Sequence, residues 1–145
     1  MDTILVGLDA SPRAEPVLRA AQELARRAGG RLILLRAVGI PIEVPHEAFS
    51  MSPDSLADLL QREAKKYLDH LATTMPEGLV KETVVGLGTP WQSICHAADV
   101  ANADLIVIGS HGYSGIDRLI GTTAAKVVNH AKQSVLVVRA ADRLS

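Results

Sequence analysis

Two hydrophobic patterns alternate along this chain. The first consists of short, nearly continuous apolar runs: Thr3 to Leu8, Arg31 to Val38, Val80 to Val85, Leu105 to Ile108 ending on Gly109, and Ser134 to Val138. Runs this short and rich in β-branched residues predict strands buried on both faces, as in a parallel sheet. Val80 to Val85 alternates less cleanly and reads as an outer strand. The second pattern has apolar residues at helical spacing. It places Val17, Leu18, Ala21, Leu24, Ala25 and Ala28 on one stripe, and Leu56, Leu59, Leu60, Ala64, Tyr67, Leu68 and Leu71 on another. Trp91, Ile94, Cys95 and Ala98 form a third, and Ala124, Val127, Val128 and Ala131 a fourth. Each predicts an amphipathic helix.

Punctuation agrees with the periods. Ser11-Pro12 supplies a cap and a first-turn proline, Ser52-Pro53 repeats the signal, and Thr89-Pro90-Trp91-Gln92 adds a glutamine where a capping box needs one. Gly29-Gly30 and Met75-Pro76 stop the first two helices. The order is βαβαβαβαβ, which predicts an α/β, doubly wound, Rossmann-like parallel sheet of five strands with four helices. Right-handed crossovers leave two common strand orders, 3-2-1-4-5 and 2-1-3-4-5, of which 3-2-1-4-5 is preferred here. Residues 1–145 form one expected domain, with an irregular loop at about 39–52 and a frayed end over Asp142 to Ser145.

Composition narrows the function classes. The 145 residues are 48% hydrophobic but 3% aromatic, so the core is aliphatic. A net charge of −1 with mixed signs argues against a nucleic-acid surface and against a polybasic membrane patch. The opening segment carries no basic leader, and no apolar run is long enough to span a bilayer, so a cytoplasmic protein is expected. Cys95 is the single cysteine and reads as a small core residue. His46, His70, His96, His111 and His130 share no ligand spacing with one another or with Cys95. His70, His96 and His130 are expected on helix surfaces.

Ligands of doubly wound sheets bind outside the carboxyl ends of the strands, where the winding reverses. In the order 3-2-1-4-5 that point lies between strands one and four. It brings Gly7, Leu8 and Asp9 beside Ile108, Gly109, Ser110, His111 and Gly112, with Ala37 and Val38 as an apolar wall. The loop after strand four holds Gly109, Gly112, Gly115 and Gly121 and opens a helix at Thr122. Amides of Ser110 to Gly112 and of Gly121 to Ala124 are positioned to meet phosphates. The hydroxyls of Ser110, Thr122 and Thr123 are further donors, and Arg118 in the loop is either a phosphate contact or a solvated charge. Asp9 would repel phosphate, so it suits a ribose hydroxyl, an adenine amine or Mg²⁺, or else it is a turn residue ahead of the first helix. Neither GxxxxGK[ST] nor GxGxxG is present.

Taken together, ILVGLDASPRAEPVLRAAQELA, LILLRAV and GTPWQSICHAADVANADLIVIGSHG with its continuation to VLVVR resemble the universal stress protein family over nearly the whole chain. The resemblance implies a small α/β domain that binds ATP in many members and no nucleotide in others. It also implies a homodimer paired through the last strand, here Ser134 to Arg139. By the same resemblance Gly109, Ser110, His111, Gly112, Gly121, Thr122 and Thr123 match the phosphate loop. Gly7, Leu8 and Asp9 match the first-strand contact, and Ala37 the adenine position. The family's spacing of glycine, two residues, glycine, nine residues, then glycine with Ser or Thr is one residue short here between Gly112 and Gly121.

Three functions follow as expectations. The first is a stress or signalling switch that binds ATP, or AMP or ADP, with Mg²⁺ accompanying the nucleotide. The second is a slow ATPase using His111 or Asp9. The chain offers that chemistry no paired general base, no arginine finger and no second carboxylate beside Asp9, which leans against an enzyme. The third is an interaction dimer that needs no nucleotide.

Overall fold

The computed structural model describes residues 2–9, 11–39, 53–110 and 120–139. Its elements, in chain order, are β1 (Thr3–Leu8), α1 (Ala14–Ala28), β2 (Arg31–Val38), α2 (Pro53–Thr73), β3 (Val80–Leu87), α3 (Pro90–Val100), β4 (Leu105–Gly109), α4 (Thr122–His130) and β5 (Ser134–Val138). The strands form one parallel sheet in the order β3-β2-β1-β4-β5, as the pattern predicts.

Side chains alternate across each strand, so one sheet feeds two cores. On one face Ile4, Val6, Leu8, Leu32, Leu34, Leu105 and Val107 pack with Val17, Leu18, Ala21 and Ala25 of α1 and Leu68 of α2. On the other, Leu5, Ile33, Leu35, Ile106 and Ile108 pack with Ile94 and Ala98 of α3 and Ala124 and Val127 of α4. The central strands carry almost no polar residue because both faces are covered. β5 is only half-buried and β3 partly exposed, as outer strands are.

Several local expectations are corrected. α1 starts at Ala14, not at Pro12: Ser11 forms a preceding turn, its carbonyl accepting from Ala14 N–H at 3.0 Å. The helix ends as expected, with Gly29 left-handed at φ 70° and Gly30 N–H closing on the Ala25 carbonyl at 3.0 Å. The stripes are narrower than the sequence suggests. Ala28 is exposed at the last turn of α1, and Leu59 and Val128 are 37% and 49% exposed. α2 lies over β2 and the outer strand β3, where little sheet surface is left to cover its flank. Val128 follows the buried Val127 by one residue, which turns it about 100° away from the core. β3 continues two residues past Val85, because Gly86 and Leu87 pair with Ala37 and Val38. Thr89 is the N-cap of α3, but neither it nor Gln92 makes a capping-box bond. Pro90 removes one first-turn donor, and Ser93 N–H is satisfied by the Thr89 carbonyl at 3.1 Å. Trp91 and Cys95 are half-buried rather than fully inside. His70, His96 and His130 are exposed, as expected. The Ser52 cap, His46 and the stretches 40–52 and 140–145 lie outside the described residues.

Candidate functional site

The reversal of winding falls between β1 and β4, whose register partners include Val6 and Val107. Gly7 to Asp9 therefore leave the sheet beside Ile108 to Ser110. The approach is close on the α3 face: a methyl group on Gly7 would lie 3.0 Å from Ile108 Cγ2 and 3.2 Å from Ile94 Cδ1. Gly7 thus contributes backbone to this region, and its Cα faces buried isoleucines.

Beyond β4 the chain is anchored at both ends of the glycine loop. Ser110 N–H donates to the Val138 carbonyl at 2.9 Å, which carries the β4–β5 pairing one step past the strand. Gly121 N–H then donates back to the Ser110 carbonyl at 2.8 Å. Ser110 and Gly121 are both buried, and the loop leaves and returns at one point. Gly121 is the N-cap of α4 and supplies no side-chain cap. The first-turn N–H groups of a helix have no acceptor within the helix. At α4 those amides follow Gly121, with Thr122 exposed and Thr123 half-buried beside them. α4 carries no acidic residue in its first turn, so its positive end is not neutralised by a carboxylate of that turn. This is a geometry suited to an anion. His111, Gly112 and Arg118 lie outside the described residues.

Asp9 is built into the turn ahead of α1. Its Oδ1 accepts from Ser11 N–H at 3.1 Å and from the Ser11 hydroxyl at 2.6 Å, while Ser11 Oγ accepts from Arg13 N–H at 3.2 Å. The turn role anticipated for Asp9 is therefore real, and it fixes the carboxylate at the carboxyl end of β1. Tyr67 of α2 reaches the same point, its hydroxyl lying 3.5 Å from the Asp9 carbonyl oxygen. Arg36, the register partner of Leu8, stacks over the Tyr67 ring at 5.4 Å from its centroid. Burial pushes the Tyr67 phenol above its ordinary value. The Arg36 cation opposes this, and the Asp9 charge adds to it.

Sequence reasoning missed Arg36 and assigned Ser11 and Tyr67 to a cap and an apolar stripe. A signal for Arg36 was present: a cation interrupts the apolar run RLILLRAV near its carboxyl end, where ligands of such sheets bind. Ala37 and Val38 sit there as expected, Ala37 half-buried on the α3 face and Val38 buried on the other. Two open grooves flank α2, the first of them starting at the Ser11 and Tyr67 side chains beside Asp9. One of about 520 Å³ runs between α1 and α2 from Ser11 past Tyr67 to Met75, and one of about 790 Å³ lies between α2 and β3. Neither is lined by the residues at the start of α4. Among the described residues no three His, Cys, Asp or Glu side chains come together as a metal site, and no helix is long and apolar enough to cross a membrane.

The fold and this junction define a doubly wound α/β domain with an uncapped helix at its switch point. Comparison with known proteins gives the family. The profile of the Universal stress protein family matches residues 1–139. Universal stress protein A homolog 2 of Coxiella burnetii is 32% identical over 138 residues, covering 94% of this chain and 93% of that protein. Among solved structures, a universal stress protein in complex with cAMP superposes with a TM-score of 0.63 at 28% identity, over 94% of this chain and 96% of that one. The universal stress protein of Archaeoglobus fulgidus in complex with dAMP superposes with a TM-score of 0.56 at 26% identity, over 95% and 98% of the two chains. This chain belongs to the universal stress protein family.

Proposed function

We propose that this protein binds an adenine nucleotide at the carboxyl ends of β1 and β4 and acts as a nucleotide-responsive switch in a stress or signalling response. The observation that carries the reading is the Gly121 N–H to Ser110 carbonyl bond of 2.8 Å, which sets the uncapped start of α4 against the end of β4. In this reading the phosphates sit at Gly121 and meet the first-turn amides of Thr122, Thr123 and Ala124 and the hydroxyls of Ser110, Thr122 and Thr123, joined by His111, Gly112 and Arg118 of the loop. The amides of Ser110 and Gly121, expected from sequence to join them, are already taken by the Val138 and Ser110 carbonyls. Gly7, Leu8 and Asp9 meet the nucleoside, with Ala37, Val38 and Ile108 as its apolar wall. The cAMP and dAMP carried by the two structural relatives share an adenine and a single phosphate, which supports an adenine ligand and leaves the phosphate count to be measured.

ATP is the first candidate, and AMP and ADP fit the same chemistry. Mg²⁺ would arrive with a polyphosphate. Asp9 alone is a thin metal site, since Ser11 already occupies its Oδ1. We further propose that two copies pair through β5, where Leu136 is 37% exposed on an outer strand with no charged residue between Ser134 and Val138.

The test is thermal unfolding with and without Mg-ATP, AMP and cAMP, with GTP as control. A ligand at a hundred times its Kd adds about 2.7 kcal/mol, which is several degrees in a domain of this size. A shift with adenine nucleotides that is lost in Gly121→Val is the expected result. No shift at millimolar nucleotide overturns the reading and favours the interaction dimer.

A further inference from the structure

The two outer strands of the sheet are finished differently. β5 is the apolar run SVLVV, with its charge held off to Arg139. β3 is edged by α2, and one backbone acceptor in its middle is already taken. Lys65 Nζ donates to the Thr83 carbonyl at 3.0 Å and also to the Thr83 hydroxyl oxygen. That hydroxyl donates in turn to Asp69 Oδ1 at 2.6 Å, and Lys65 and Asp69, one helical turn apart, pair at 3.4 Å. The bond from Thr83 is the chief cause of an Asp69 carboxyl held below its ordinary value. Lys81 and Glu82 stand exposed on the same strand.

An outer strand presents unpaired N–H and C=O groups to any strand that approaches. At Thr83 an approaching strand would have to displace from the carbonyl an ammonium that Asp69 and the Thr83 hydroxyl help to hold there. A sheet open at both outer strands also lets copies add head to tail without closure, which yields filaments. Blocking one side stops that growth. We propose that Lys65, Thr83 and Asp69 form a clasp that closes the β3 edge to strand addition by a second copy of this chain. The clasp is independent of nucleotide binding and of the site at α4.

The test uses Lys65→Met and Lys65→Glu, which remove the donor with side chains that suit a helix, and Lys65→Arg, which keeps it. Mass is followed by light scattering after gel filtration over a hundredfold range of concentration, and hydrogen exchange is followed at Thr83 to Val85. Wild type and Lys65→Arg should hold one mass throughout. Lys65→Met or Lys65→Glu should gain mass with concentration, with exchange slowed at least threefold along β3. Constant mass in both donor-free variants, or association without protection of β3, overturns the clasp. Two substitutions of different charge at an exposed helical position keep the test decisive if one of them folds poorly.

Discussion

Gly86 is where β3 and α3 approach most closely among the glycines of the described residues, and it permits a quantitative test of the packing on the α3 face. A methyl group there would lie 2.7 Å from Ser93 Cβ and 2.8 Å from Ser93 Oγ. Real Cβ contacts are not that short. Because Ser93 Cβ is fixed to the helix backbone, rotating the side chain relieves only the Oγ contact, and α3 itself must move. Forced overpacking of this kind costs about 1–3 kcal/mol. The opposing gain from removing a glycine's unfolded-state freedom is about 0.4–1 kcal/mol. Gly86→Ala should therefore destabilise by about 1–2 kcal/mol, or roughly 3–8 °C in Tm for a chain of this length. Urea denaturation followed by circular dichroism measures it. A double-mutant cycle with Ser93→Gly isolates the contact, because each single change keeps its own helix or strand penalty. The predicted coupling is at least 0.5 kcal/mol, in the sense that Gly86→Ala costs less when Ser93 is already glycine. An undiminished cost in the Ser93→Gly background, or a stabilised Gly86→Ala, would refute the packing argument.

Other consequences can be checked with the same protein. Asp104 Oδ2 accepts from Asp2 N–H at 2.8 Å and Thr3 N–H at 2.9 Å, and these amides hold its carboxyl below the ordinary 3.8. A carboxyl depressed on folding adds stability above its unfolded value, and that stability is lost as pH falls through the folded value. Asp104→Ala should therefore destabilise at pH 7 and flatten the acid limb of the stability curve below about pH 4. Equal acid limbs in the two proteins would count against the bond. Leu68 is fully buried between α2 and the sheet, so Leu68→Ala should cost about 2–5 kcal/mol in urea denaturation, and a cost under 1 kcal/mol would show that α2 is not docked there. Burial, with a smaller contribution from Asp99, raises the Cys95 thiol above its ordinary value. Cys95 should thus react with a disulfide reagent at least tenfold more slowly at pH 7 than the same thiol in urea, and equal rates would contradict its placement.

The sheet was legible because parallel strands buried on both faces leave a direct mark in sequence. TILVGL, RLILLRAV and LIVIG can hardly be solvent-facing, and their spacing through helices fixes the winding. Boundaries were less legible where tertiary contact decides them. β3 runs to Leu87 because Ala37 and Val38 offer partners, which nothing in GLG announces. The capping box at Thr89 follows a correct local pattern, yet Pro90 already relieves the helix start, and no side-chain bond forms. Val128 and Leu59 look like core residues by type and spacing, but their flanks of α4 and α2 face no sheet. At the site, Asp9, Ser110 and Gly121 were legible from strand ends and glycines. Arg36 and Tyr67 were not, because their meeting depends on how α2 lies across β2.

The most direct measurement is amide chemical-shift mapping of the ¹⁵N-labelled protein during titration with AMP and Mg-ATP. The account predicts saturable shifts at Ser110, Gly121, Thr122, Thr123 and Ala124, with a second group at Leu8, Asp9 and Ala37, and none along β3. Shifts confined to the groove between α1 and α2, or no shifts at millimolar nucleotide, would contradict it.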